Sequence, residues 1–358
     1  MNMLNEMPVP ISSSLPSAVR VGLMQAQDME RWDRFVTACP DATFFHRAGW
    51  KAVIESAFGH KTWFYYAESD GEIIGVLPLA QIKSALFGHS LCSLPFCVYG
   101  GVASHDATAR ALLTLAAQQL AESLRAGYLE MRNLEPQNPD WISKNLYFTF
   151  RKEIDPIEEN NMLAIPRKQR AMVRKGIKEN LQGEIDQDVD RFFYAYSNSV
   201  HHLGTPVFSK KYFRILKEVF GSDCEILTIT QNAEVIAGVL SFYFRDEVLP
   251  YYGGGTTRAR AVAGNDFMYW ELMKRACARG IRVFDFGRSK AGTGAFDFKK
   301  NWGFTAQPLH YEYQLYTLSE LPENNPLNPR FKLFINLWRR MPITVANFVG
   351  PFLVKNLG

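Results

Sequence analysis

The stretch Arg282-Val283-Phe284-Asp285-Phe286-Gly287-Arg288-Ser289-Lys290-Ala291-Gly292-Thr293-Gly294-Ala295-Phe296-Asp297-Phe298-Lys299-Lys300-Asn301-Trp302-Gly303-Phe304 decides how the chain reads. It opens as a short strand, because Val283, Phe284 and Phe286 are strand formers, and then breaks into glycines and cations suited to the floor of a site for an anionic ligand. Two familiar patterns are excluded. Asp285-Phe286-Gly287 matches the magnesium triplet of protein kinases, but neither a His-Arg-Asp loop nor a G-x-G-x-x-G start accompanies it. Gly292-Thr293-Gly294 is not followed by Gly-Lys-Ser/Thr, so it is no Walker loop.

Reading outward from this run, a helix over about Asn265 to Arg279 carries Tyr269, Leu272, Met273, Ala276 and Cys277 at helical spacing and stops at Gly280. Before it come Tyr252-Gly253-Gly254 and the strand Glu234 to Leu240. The same order occurs earlier in the chain. Glu72 to Leu77 follows the turn Ser69-Asp70-Gly71, which joins it to the strand Thr62 to Ala67. A strand over Leu91 to Val98 runs into Tyr99-Gly100-Gly101, and Asp106 caps a helix that reaches about Ala126. Its Leu113, Ala116, Ala117, Leu120 and Leu124 form a buried stripe, and Tyr128 to Arg132 is the next strand, with Glu130 in the place of Asp285. Two further helical segments, around Met29 to Cys39 and Trp50 to Phe58, open the first copy. Four ordered matches imply a tandem duplication of one α/β unit built on mixed sheets. The expected divisions are a disordered leader at 1–20, a first domain at 21–155, a second domain with the main ligand site at 156–325, and a basic, apolar tail at 326–358.

Bulk composition is consistent with two globular domains: 358 residues, 47% hydrophobic and 21% charged. The net charge of +4 is too mild for DNA as a partner but compatible with phosphate-bearing substrates. Five cysteines form no CxxC pair, and the sequence shows neither a signal peptide pattern nor a membrane-spanning run, so a cytoplasmic protein is expected. No metal is expected: His201 and His202 are adjacent and project differently from a helix, with no further ligand set at suitable spacing. No G-x-S-x-G elbow supports a Ser-His-Asp triad.

Two basic segments stand out. Pro166 opens a helix with six cations from Arg167 to Lys178, either a solvated face or a contact for a pyrophosphate or an RNA backbone. The tail from 331 to 358 interleaves apolar residues with Lys332, Arg339 and Arg340, and reads either as an interfacial anchor on the inner membrane or as a segment packed on the second domain.

The tandem units, the basic helix between them, and above all Asp285-Phe286-Gly287-Arg288-Ser289-Lys290 with Phe296-Asp297-Phe298-Lys299-Lys300-Asn301-Trp302-Gly303-Phe304 resemble the FemAB family, in particular its branch associated with exopolysaccharide and PEP-CTERM/exosortase loci. The resemblance implies two tandem domains of the GNAT acyltransferase fold and transfer of an aminoacyl or acyl group onto an amine of a cell-envelope or exopolysaccharide precursor. It implies no bound cofactor, and a donor that is aminoacyl-tRNA or acyl-CoA. In that family the lysine of an F-K-x-x-F/W-G segment lies near the substrate; the matching position here is Lys299, with Lys300 beside it. The loop Gly253 to Ala261 departs from the Arg/Gln-x-x-Gly-x-Gly/Ala spacing with which acyl-CoA enzymes of this fold hold the pyrophosphate. A CoA-dependent acyltransferase and a non-catalytic scaffold for a glycan or lipid-linked intermediate are the alternatives.

Acyl transfer needs an oxyanion stabiliser, a route for the amine proton, and positioning of both substrates. The expected assignments are amides around Tyr252, Gly253 and Gly254 for the first, Lys299 for developing negative charge, and Arg288, Lys290 and Lys300 for substrate anions. Asp285 is expected to accept the proton or hold an ammonium, against the plainer reading of an ion pair with Arg288.

Overall fold

The computed structural model describes residues 18–84, 88–144, 146–322 and 329–357, with backbone alone at 329–333. Residues 1–17 of the expected leader, and 323–328 around the expected start of the tail, lie outside the described residues.

The first unit runs β1 (Arg20–Leu23), α1 (Met29–Ala38), α2 (Gly49–Phe58), β2 (Thr62–Ser69), β3 (Glu72–Ser84), β4 (Gly88–Cys92), α3 (Ala107–Ser123) and β5 (Tyr128–Asn133). Short strands β6 (Ile142–Lys144), β7 (Tyr147–Thr149) and β8 (Arg151–Glu153) connect it to the second. That unit contains α4 (Glu158–Ala164), α5 (Arg167–Lys178), β9 (Gln182–Asp186), α6 (Asp190–Leu203), α7 (Lys210–Phe220), β10 (Cys224–Gln231), β11 (Glu234–Phe244), β12 (Glu247–Gly255), α8 (Gly264–Ala278) and β13 (Val283–Asp285). The chain closes with β14 (Ser289–Lys290), α9 (Gly294–Asn301), β15 (Gln307–Pro308), β16 (His310–Leu315), α10 (Pro329–Arg340) and α11 (Ile343–Val354).

Local chemistry explains these boundaries. The β2–β3 hairpin turns at Asp70 and Gly71, both at positive φ (52° and 82°), the geometry a two-residue turn requires. The Asp106 carboxylate accepts the Ala109 N–H at 2.7 Å and starts α3, whose Ala109, Leu113, Ala117 and Ala121 form its buried stripe. Two repeats of one ladder follow. In the first, β2, β3 and β4 pair antiparallel and β4 pairs parallel with β5; in the second, β10, β11 and β12 pair antiparallel and β12 pairs parallel with β13. The duplicated order read from sequence is therefore the order of the strands.

Two expectations need correction. The strand anticipated over Leu91 to Val98 ends at Cys92, because Pro95 cannot donate to a ladder and Leu94 and Phe96 take positive φ (59° and 66°). The division near residue 155 does not follow the sheets. β16 pairs with β5 from His310↔Asn133 to Leu315↔Tyr128 and joins the first, seven-stranded sheet, while β8 pairs with β13 and edges the second, six-stranded sheet. Each sheet thus takes strand from the other half of the sequence. Between the units lies a shared aromatic core, with Phe44 stacked on Phe242 at 4.4 Å and Phe45 5.1 Å from Tyr251.

Candidate functional site

β12 and β13 part company early. Their pairing consists of Glu247↔Val283 and Val248↔Phe284, after which β12 carries a bulge: Leu240 faces Tyr252 and the next residue, Ser241, faces Pro250, leaving Tyr251 extra. A bulge bends its strand and increases its twist, and Pro250 has no N–H to offer. Tyr251 is pinned to the first unit by its hydroxyl, which donates to the Phe96 carbonyl at 2.6 Å. The wedge between the strands opens into a cavity of about 350 Å³, within the size range of small-molecule sites. Tyr251, Tyr252 and Gly253 form one wall, the turn from Phe286 to Ser289 another, and Lys299 of α9 closes the end.

Lys299 reaches this place because Thr293 caps α9 and the helix lies against the turn after β13. Its ammonium donates to the carbonyls of Phe286 (2.7 Å), Gly287 (2.9 Å) and Arg288 (3.2 Å). Burial pulls its pKa down to about 7; the neighbouring charge of Asp285 opposes this fall and that of Arg288 adds to it. All three ammonium protons have acceptors, so Lys299 holds the 286–288 turn in shape and reaches a substrate by releasing one of them, the longest bond being to Arg288.

Asp285 lies behind the wall, with no exposed surface. It accepts from the Gly287 N–H (2.7 Å), the Tyr99 hydroxyl (2.9 Å) and the Thr149 hydroxyl (3.2 Å), and its ion partner is Arg151 at 3.5 Å, not Arg288. With its lone pairs engaged and no contact with the cavity, it anchors the turn and ties the two units together, in place of the proton-accepting or ammonium-holding role expected for it. Arg288 lines the cavity, donates to the Tyr311 hydroxyl at 3.1 Å, and lies 4.6 Å over the Tyr147 ring. Among the described residues it has no carboxylate within ion-pair distance.

The remaining expected residues divide. Tyr252 lines the cavity, with its hydroxyl 2.9 Å from that of Tyr212. Gly253 lines it too. Gly254 does not; a Cβ there would fall 2.6 Å from Ser199 Cβ, so its smallness lets α6 pack on β12. Lys290 is buried outside the cavity lining, its Nζ without a hydrogen-bond partner and 5.9 Å from the Tyr147 ring. Lys300 is exposed on the far side of α9, 5.8 Å over Phe296, and does not belong to the site. Residues the sequence reading missed include Tyr251, Tyr269, Phe96 and Phe208, and Val354 and Leu357 from the tail. Only the clustering of aromatics hinted at them. Elsewhere, Cys39, Asp41 and His105 place ligand atoms within 4.8 Å of one another, but Arg110 stands 3.6 Å from the Asp41 carboxylate and burial raises the Cys39 thiol, both unfavourable to a cation.

Residues 167–300 match the family described as acetyltransferase (GNAT) domain. No curated protein sequence matches the chain. The crystal structure of FemX superposes with a TM-score of 0.66 at 15% identity, over 88% of this chain and 100% of that one. A tandem GNAT protein from the clavulanic acid biosynthesis pathway gives a TM-score of 0.54 at 10% identity, over 83% of this chain and 98% of that one. The C-terminal domain of a putative lysylphosphatidylglycerol synthetase from Agrobacterium fabrum gives 0.53 at 12% identity, over 81% and 93%. Residues 167–300 are thus similar to a GNAT acetyltransferase domain, and the chain as a whole has a mixed α/β fold like that of tandem GNAT proteins.

Proposed function

We propose that this protein is an N-acyltransferase that moves an aminoacyl or acyl group onto an amine of a cell-envelope or exopolysaccharide precursor, in the cavity between β12 and β13. The observation that carries the reading is the splayed pair itself: an unpaired strand edge at Gly253 and a buried lysine share one cavity within the region similar to a GNAT domain. The amine attacks the donor carbonyl carbon, a C–N bond forms, and the bond to the leaving oxygen or sulfur breaks as the amine's proton departs to that leaving group. An amide of β12 at Gly253 and the Lys299 ammonium bear on the oxyanion of the intermediate. Arg288 supplies positive charge for an anionic group of either substrate.

Aminoacyl-tRNA is the donor this reading favours. Arg167, Lys168, Arg174, Lys175 and Lys178 on α5 are exposed and have no ion pair among the described residues, as a phosphate backbone contact requires. The GNAT match favours acyl-CoA as an alternative donor. Against it, Arg258 in the loop after β12 is engaged by Glu234 and by Gln231 at 2.6 Å, and so is not free for a pyrophosphate. The test is transfer of a labelled acyl group from each donor to an amine-bearing precursor by wild type and Lys299→Met. Product formed by wild type and lost in the variant supports an enzyme; no product with either donor, alongside retained binding of the precursor, identifies a scaffold.

A further inference from the structure

The tail packs one face on the folded body and leaves the other exposed. Inward, Trp338, Ala346 and Val354 are buried, Gly350 packs on the backbone of Val207, and the Lys355 carbonyl bonds the His60 ring at 2.7 Å. Outward, Phe334, Leu337, Val345, Phe348, Phe352 and Leu357 are exposed, Phe348 at 72% and Phe352 at 59%. Residues 345, 348 and 352 recur at one-turn and two-turn spacing, so they make a continuous apolar ridge along α11. A ridge of this kind on a helix already fixed by its other face is an interaction surface.

Charge identifies the partner. From residue 324 to 358 there is no acid, and there are five cations, so the rest of the chain has a net charge of −1 against +4 for the whole. Arg339, Arg340 and Lys355 have no carboxylate partner among the described residues. None of the described helices is long and apolar enough to cross a membrane. An exposed aromatic ridge flanked by unpaired cations, on short helices held to a folded body, has the chemistry of a bilayer interface carrying anionic headgroups.

We propose that the outer face of α10 and α11 docks on an anionic bilayer. Val354 and Leu357 of the same tail also line the cavity, so docking sets the cavity mouth at headgroup level. If the cavity is the acyl-transfer site, its amine acceptor is then membrane-borne; this consequence rests on the reading above, whereas docking itself does not.

The test is co-sedimentation of the full chain with phosphatidylcholine vesicles with and without phosphatidylglycerol, for wild type and for Phe348→Ser/Phe352→Ser, whose exposed positions leave the fold intact by circular dichroism. Wild type sediments with the anionic vesicles, binding weakens with added salt, and the double variant loses about tenfold or more in partitioning. Equal sedimentation of wild type and variant, or none by either, overturns the proposal. So does a wild-type dimer in sedimentation velocity that the variant abolishes, since a second copy would then cover the ridge. Transfer between a soluble donor and a soluble acceptor that survives the double variant leaves the acyl-transfer reading standing whatever the vesicles show.

Discussion

The two units build the same corner and finish it differently. In the first, β4 and β5 pair as far as Cys92↔Glu130, and the space beyond is filled by Arg132, whose guanidinium donates to Glu130 (2.7 Å) and to the carbonyls of Leu94 (3.1 Å) and Cys97 (2.7 Å). In the second, aligned on the acids Glu130 and Asp285, the position of Arg132 is taken by Gly287, at φ +64° and with only Val98 within 4 Å of a hypothetical Cβ. The corner without a side chain is the cavity. Its cation, Arg288, comes one residue later and has no carboxylate among the described residues. A duplicated fold thus spends one corner on stability, through a satisfied buried ion pair, and leaves the other open with charge to spare.

Four substitutions break or sharpen this contrast, in decreasing order of expected effect. Arg132→Met strands the buried Glu130 carboxylate, and chemical denaturation should show a loss of about 3–5 kcal/mol, with turnover per folded molecule unchanged. Lys299→Met should lower kcat by about 10²–10³, read by single-turnover transfer, and cost about 1–3 kcal/mol in chemical denaturation as the carbonyls of Phe286, Gly287 and Arg288 lose their donor. The pH profile adds a sign to this prediction. If the ammonium is the active form, its population declines once pH passes about 7, so wild-type kcat falls about tenfold per pH unit above that point and the variant lacks this limb. A rate that rises through the same range would instead make the neutral amine the working form. Arg288→Gln should raise KM for a phosphate-bearing substrate by about tenfold to a hundredfold with a smaller change in kcat. Lys300→Ala, exposed and outside the cavity, should leave activity unchanged and stability within about 0.5 kcal/mol.

What the sequence made legible was local. The hairpin at Asp70-Gly71, the Asp106 cap, the extents of α3 and α8, and the repeated strand order all follow from signals within a few residues of one another. Tyr252, Gly253, Arg288 and Lys299 do share one cavity, but only the glycine-ended strand and the strand at Val283 were legible beforehand: Arg288 lies in the turn after β13 and Lys299 on α9, a helix the sequence pattern did not show. The rest depended on distant pairings. Neither β8 nor β16 carries any mark of which sheet it will join, so the exchange of strands between units was hidden. Asp285 meets Arg151, Tyr99 and Thr149 only once that exchange has been made. The bulge at Tyr251 and the three carbonyls around the Lys299 ammonium are likewise products of packing, and Lys300 differs from its neighbour simply by facing outward on α9. The tail was legible as basic and apolar, but its two-faced character needed the partners of Trp338 and Gly350.

The most direct test of the account is to rebuild the first unit's corner in the second. In Gly287→Arg a guanidinium occupies the opening between β12 and β13, as Arg132 does between β4 and β5. With folding confirmed by circular dichroism, the account predicts that labelled acyl transfer to an amine acceptor is lost in this variant and present in wild type. Transfer by the folded variant at the wild-type rate would contradict it, and would place the chemistry outside this cavity.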